Sequence, residues 1–340
     1  MQSLKNTLLI HSIQNLRGIA ALAVVLSHLF VNHTSSSDEL TRFISSFAEI
    51  GTLGVEMFFV ISGFIIPYSL YKGNYKITDW KKFLTKRLIR IYLPYLASLL
   101  LTIFFILAWK YFLPNFNNAY KIDSKAIFTN LVFTNPFYKI DFINYSYWTL
   151  FVEIQYYLLI AFTYPLIFKY NNVGVLLVGL VLFSLNFILP AGSLPLYSHF
   201  LLFTIGTVIF LYHTSQISAF QFLLYCIFLL SLQFLWHFYI LHWGRTIPIS
   251  IVSTLSIFFI VKLNFYNRFI HFLGNISFSL YLIHQPVIVY LNSLMFLRGI
   301  QVDRFMYLVF QLFISLIAAW LFYTFIEKPT YSLVKKNFKN

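Results

Sequence analysis

The sequence predicts an all-α, polytopic membrane protein with about ten transmembrane helices and both termini cytoplasmic. Three observations lead there. Hydrophobic residues make up 59% of the 340 positions and charged residues only 10%, a balance that no soluble globular domain of this length has. Apolar runs of about 18 residues or more recur along the chain, each enough to cross a bilayer as a helix. The basic residues collect in a few connections instead of spreading along the chain, as the positive-inside rule requires of a membrane protein.

The first span, 13–32, contains LRGIAALAVVLSH, so Arg17 and His28 sit where lipid would otherwise be. Eleven residues of helix make almost three turns and rise about 16.5 Å, which puts both side chains on one face, near opposite ends. Ionisable groups at such depth face a protein interior, a partner or a water-filled cavity. The second span, 50–71, carries Glu56 in GVEMFFVISGF. The connection after it holds Lys72, Lys76, Lys81, Lys82, Lys86, Arg87 and Arg90, and is therefore assigned to the cytoplasm. The third span, 88–113, starts in KRLIRIYLPY. A long connection, 114–146, rich in Asn, Lys and aromatics, then faces outward with enough length to form a lid or a wall.

The fourth span, 147–168, places Glu153 of YWTLFVE two turns below its outer end. Spans five to eight follow at 173–190, 196–214, 219–241 and 246–263, with only a weak break around His237–Arg245 between the last two. The ninth, 275–296, brings His284 of SFSLYLIHQP near its middle, and the tenth, 304–326, ends at Glu327–Lys328–Pro329. Ten spans return the tail, with Lys335, Lys336 and Lys339, to the basic side. Asp38, Glu39, Glu49, Asp123 and Asp141 collect on the other.

Residues 1–340 read as one integral membrane domain. The first apolar run is too long for a signal-peptide core and is followed by no small-residue cleavage site. Cys226 is the only cysteine, so no intrachain disulfide forms. His237 and His242 lie five apart with no third ligand, so no metal is expected. The net charge of +14 is mainly a topology signal with some attraction to anionic lipid; nucleic acid is not implied. No internal repeat is evident, which counts against transporter folds built from duplicated halves.

Placed by depth, the polar residues form two layers. Arg17, Arg87, Arg90, Lys262 and Arg268 lie at the inner ends of their spans, with Glu327 among them. His28, Glu56 and Glu153 share an outer depth at which they can meet in one cavity. Arginines bind phosphates through charge-assisted, bidentate hydrogen bonds. A histidine whose tautomer is fixed by a carboxylate takes a proton from a hydroxyl. Phosphates inside and a base three turns further out suit a long donor lying across the membrane, and coenzyme A has that shape. Each residue also has a plainer explanation. Arg17 can snorkel to the inner headgroups, His28 can bond a backbone carbonyl or Ser62, and Arg87 and Arg90 can be topology charges. Glu327 can pair with Lys328. Only Glu153, a carboxylate two turns deep, demands a proton or a partner. His11 and His33, near span ends, read as solvated.

The motifs as a set resemble the acyltransferase-3 family of integral membrane acyltransferases. Arg17 and His28 match its first motif. Glu56, Phe58, Phe59, Ser62 and Gly63 match its second-span signature, and Arg87, Arg90 and Pro94 its third-span start. Trp148, Thr149 and Glu153 follow, then Ser277, Tyr281, His284 and Pro286, then Glu327, Lys328 and Pro329. Six motifs in one order cover nearly the whole chain. The resemblance implies a cytoplasmic acyl-CoA donor, most simply acetyl-CoA, with no metal, and an acceptor handled at the outer face of the cell (cytoplasmic) membrane. Chain length is most similar to stand-alone surface-glycan O-acetyltransferases. It implies His28, Glu153 and Arg17 as catalytic residues, with Arg17, Arg87, Arg90 and His284 binding the donor. Expected partners are acyl-CoA, a carbohydrate or lipid-linked glycan and membrane lipids. Two competitors stand beside this reading. One is a transporter or flippase for a lipid-linked glycan. The other is a lipid-dependent glycosyltransferase using Asp38–Glu39.

Overall fold

The computed structural model describes residues 2–31, 51–112, 122–169, 173–188, 196–239, 246–263, 266–298 and 303–338. Asp38, Glu39, Glu49, His33, His242, Arg245, Lys339 and the first part of the long connection lie outside them, as do the side chains of His237 and Lys262. Among the described residues there is no strand. The helices, in order, are α1 (Gln2–Val31), α2 (Thr52–Lys72), α3 (Trp80–Phe112), α4 (Ser124–Leu131), α5 (Asn135–Tyr138), α6 (Trp148–Lys169) and α7 (Gly174–Ile188). They continue as α8 (Leu196–His213), α9 (Ala219–Tyr239), α10 (Thr246–Leu263), α11 (Arg268–Asn275), α12 (Ser277–Arg298), α13 (Arg304–Phe322) and α14 (Lys328–Asn337). A widened π-helical turn, Tyr323–Glu327, joins the last two.

Each predicted span meets a helix, but length and apolarity single out fewer crossings than ten. Five stretches qualify among the described residues: Leu9–Phe30, Leu53–Lys72, Ile77–Tyr111, Tyr145–Ile167 and Phe305–Asn337. A sixth qualifies if Arg268–Asn275 and Ser277–Met295, bent by 69°, count as one. Helix α1 starts eleven residues before the predicted span because Leu9 and Ser12 are already buried, so packing extends the helix past the apolar run. Helix α3 takes in the basic connection from Lys81 onward, since Lys and Arg are good helix formers.

Contacts divide the chain into two compact units that alternate along the sequence. The first comprises Met1–Val24, Ile50–Leu84 and Val152–Asn275; the second comprises Val25–Glu49, Thr85–Phe151 and Ile276–Asn340.

In the first unit, α2 and α8 pack backbone to backbone. A Cβ on Gly63 would strike the Phe203 backbone, and one on Gly206 would strike the Val60 carbonyl. The close approach lets Thr207 Oγ1 donate to Gly63 O at 3.0 Å. Small residues at helix crossings are how apolar helices gain van der Waals contact in a bilayer, where hydrophobic driving force is weak. Gly63→Ala is therefore expected to destabilise the protein by about 1–3 kcal/mol, the usual cost of overpacking. A thermal unfolding midpoint equal to wild type in detergent would disprove this packing. A second crossing joins α1 to α11, where Gly18 faces the backbone of Ile270 and Gly274, and Gly274 faces Gln14 O.

The second unit is organised around Pro286. Proline lacks the N–H that would bond the carbonyl four residues earlier, so Leu282 O needs another donor. Asn144 Nδ2 supplies one at 2.9 Å and Ser98 Oγ a second at 3.2 Å. Asn144 belongs to the long connection, whose described part does not stand off as a lid. Its α4 packs along α3, with Tyr95 Oη donating to Asn130 O at 2.7 Å and Tyr92 Oη to Leu131 O at 2.8 Å. Asn130 Oδ1 in turn holds Ile143 N at 3.2 Å. The connection is a wall that fixes α12, the helix carrying His284.

Candidate functional site

The second unit pairs His28, on the last turn of α1, with His284 on α12. His28 Nδ1 and His284 Nε2 are 3.2 Å apart, with ring centroids at 5.0 Å. The hydrogen-bond partners fix both tautomers. His284 Nδ1 lies 3.0 Å from Leu280 O, and a carbonyl only accepts, so Nδ1 carries the hydrogen. In the neutral ring Nε2 must then accept, which makes His28 Nδ1 the donor and places the His28 lone pair on Nε2. His284 is fully buried and His28 only partly so, so the inner ring supports the outer one through a single hydrogen bond. Tyr281, one turn before His284, is anchored by Thr149 Oγ1 at 2.8 Å, so Thr149 serves the same helix.

The start of α12 is held from the tail. Glu327 Oε2 accepts from Ser279 N at 3.2 Å and from Ser279 Oγ at 2.5 Å. Ser279 N is one of the orphan amides of the first turn, and a carboxylate there both satisfies it and opposes the helix dipole. The π-helical turn Tyr323–Glu327 gives Glu327 its direction, a device that recurs at functional sites.

The two carboxylates and Arg17 belong to the first unit. Glu153 belongs to the first unit, where Oε1 accepts from Tyr157 Oη at 2.5 Å, one turn along α6, and from Ser62 Oγ at 3.5 Å. Glu56, buried in α2, accepts from Ser250 Oγ at 2.8 Å. The two carboxylates thus have different hydroxyl partners. Arg17, half-buried on α1, donates through Nη1 to Gln14 Oε1 at 3.5 Å. In the second unit the Arg90 guanidinium lies over the Tyr331 ring at 5.2 Å, and Lys86 over Phe338 at 5.9 Å, so the first turns of α3 hold α14 by cation–π contact. Arg87 is half-buried on the same stretch. Among the described residues no group of three or more His, Cys, Asp or Glu is placed to share a metal ion.

A sequence profile of the acyltransferase-3 family, an acyltransferase domain, matches residues 10–324. The chain belongs to this family. As an acyltransferase-3 protein it is also similar to the O-acetyltransferase OatA of Staphylococcus aureus strains NCTC 8325 / PS 47, COL and MRSA252. It is 25% identical to each over 373 residues, covering 96% of this chain and 57% of the relative. The chain therefore spans a little over half the length of these curated relatives. No solved structure matches it.

The imidazole partner of His28 escapes sequence reasoning, which assigns Glu153 to orient His28 or hold the acceptor and His284 to donor binding. A signal was present: Pro286 guarantees an orphan carbonyl at Leu282, hence an external donor that fixes the helix next to His284. Which residue supplies the donor is a tertiary matter. His11, read as solvated, is half-buried and bonded to His271 at 2.9 Å.

Proposed function

We propose that this acyltransferase-3 protein is a membrane O-acetyltransferase. In this reading it moves an acetyl group from cytoplasmic acetyl-CoA to a carbohydrate hydroxyl of a surface or exported glycan. It crosses the cell membrane about ten times with both termini cytoplasmic, and the basic start of α3 and the lysine-bearing tail mark that side. The observation that carries the reading is the His28–His284 pair, because a buried partner that accepts from Nδ1 leaves the lone pair of the neutral His28 ring on Nε2.

The chemistry follows from that nitrogen. His28 Nε2 takes the proton as the acceptor hydroxyl oxygen bonds to the thioester carbonyl carbon. The carbon–sulfur bond breaks, the ester is formed, and the proton passes to the departing thiolate to give free CoA thiol. His284 holds the His28 ring and accepts its Nδ1–H, steadying the imidazolium that forms. Arg17, Arg87 and Arg90 bind the donor phosphates. Glu153, which accepts a hydrogen bond from Tyr157, holds the acceptor. The relatives' name supports acetyl as the group transferred, and family membership gives the transporter and glycosyltransferase readings no support.

The deciding experiment incubates detergent-purified protein with radiolabelled acetyl-CoA and a carbohydrate acceptor. Label in the sugar without any gradient or second compartment supports an enzyme; movement of a lipid-linked sugar across vesicles without label transfer overturns it. Arg17→Lys keeps the charge but loses the planar fork, so kcat/KM for acetyl-CoA is expected to fall by about 10–100-fold, the worth of one charge-assisted hydrogen bond. An unchanged KM for acetyl-CoA would remove Arg17 from donor binding.

A further inference from the structure

Beside Arg17 the first unit contains a hydrogen-bond chain that the catalytic reading leaves unused. Arg17 Nη1 donates to Gln14 Oε1 at 3.5 Å, and Gln14 Nε2 donates to Asn275 Oδ1 at 3.1 Å. Asn275 Nδ2 lies 3.4 Å from His271 Nδ1, and His271 Nε2 lies 2.9 Å from His11 Nδ1. An amide nitrogen only donates, so His271 Nδ1 accepts and Nε2 carries its hydrogen. His11 Nδ1 then accepts, and its own hydrogen is on Nε2. Every link points the same way, from a guanidinium to an imidazole N–H, and such chains polarise cooperatively. Helices α1 and α11 touch at Gly18 and Gly274, which is what brings the side chains of these two helices within reach.

The far end of the chain is an aromatic corner. Tyr266 stands edge-on to His11 with centroids 5.3 Å apart and lies 5.4 Å from His271, and it is 52% exposed. Gln14 and Asn275 each keep one amide hydrogen and one lone pair beyond the chain, the donor–acceptor pair that matches the edge of adenine. An exposed ring beside such amides is a stacking platform for a base. His11 and Arg17 are six residues apart, about 9 Å along the helix and about 120° around it, so the link between aromatic corner and guanidinium is the hydrogen-bond chain through Gln14 and Asn275. Arg268, exposed on α11 three residues before His271, adds a second guanidinium to the same surface.

We propose that this surface is the nucleotide subsite for the donor: the adenine of a 3′-phosphoadenosine diphosphate group stacks on Tyr266, which His11 and His271 support from the side, Gln14 and Asn275 read its edge, and Arg17 and Arg268 take phosphates. The proposal deepens the donor reading above and rests on it for the identity of the full molecule.

Two measurements on the full chain in detergent test it. The first is calorimetric binding of adenosine 3′,5′-bisphosphate. Wild type binds it, Tyr266→Phe binds it comparably, and Tyr266→Ala is weakened by about 10–100-fold, the usual loss on removing a stacking ring. The second is the ratio of kcat/KM for acetyl-CoA over acetyl-4′-phosphopantetheine, which lacks the nucleotide. This ratio exceeds one in wild type and falls towards one in Tyr266→Ala. Tyr266 is at the surface, so the substitution does not threaten folding. Absence of bisphosphate binding in wild type, binding indifferent to Tyr266→Ala, or an equal loss with both donors overturns the subsite. Bisphosphate binding that depends on Tyr266 in a protein that transfers acetyl from neither donor upholds the subsite and sinks the acetyltransferase reading instead.

Discussion

His28→Gln is expected to lower acetyl transfer by about 10²–10⁴-fold, the contribution a positioned general base makes. Glutamine fills nearly the same space and can still bond His284, but its amide has no basic lone pair, so the acceptor hydroxyl keeps its proton in the transition state. His28 sits at the last turn of α1 and is only partly buried, so the fold has little to lose and protein should remain in the membrane at wild-type levels. The measurement is kcat with saturating acetyl-CoA and acceptor, set against the amount of folded protein. Acetyl incorporation within a factor of a few of wild type would mean that proton removal lies with another group.

Replacing His284 tests a different property of the same pair. It makes no direct demand on the substrate in this scheme; it is a positioning residue that selects the tautomer of His28. His284→Leu conserves volume in a fully buried position and removes the nitrogen that accepts from His28 Nδ1. The His28 ring is then at liberty to carry its hydrogen on Nε2, where it is useless as a base. Losses on the order of 10²–10⁴-fold follow when an imidazole is left in the wrong tautomer. His284→Gln restores an acceptor oxygen and should recover a large part of the loss, with the acid limb of the pH–rate profile moved because Gln cannot share a proton. A purely structural role predicts the opposite order, since a buried amide is costlier to pack than leucine. Equal activity in the leucine variant and wild type would end the tautomer argument.

Some of this was legible in the residues and some was not. Depth is a one-dimensional property, and hydropathy with basic flanks located helices near every predicted span. The sequence also flagged His28, Arg17 and Glu153, because ionisable side chains in an apolar run always need a reason. Neighbourhood is three-dimensional. Nothing in YWTLFVE says that Glu153 will be met by Tyr157 and Ser62, or that Glu56 will be taken by Ser250. The long polar connection reads as a lid or a wall, because length and composition do not say which surface it covers. Its buried asparagines serve backbone groups left unpaired: Asn144 at Leu282 O and Asn130 at Ile143 N. His11 read as solvated for the same reason, since position near a span end predicts water and only the Gly18–Gly274 crossing reveals a partner helix.

The amino-acid order by itself determined an all-helical chain of membrane character, the positions of the helices that meet its predicted spans and the family to which its motifs belong, because each depends on local apolarity and spacing. The tertiary structure alone decided which nitrogen of His28 bears the lone pair. That choice depends on a carbonyl at Leu280 and a ring at His284, more than 250 positions away, and no rule of spacing links groups so distant until the helices have packed.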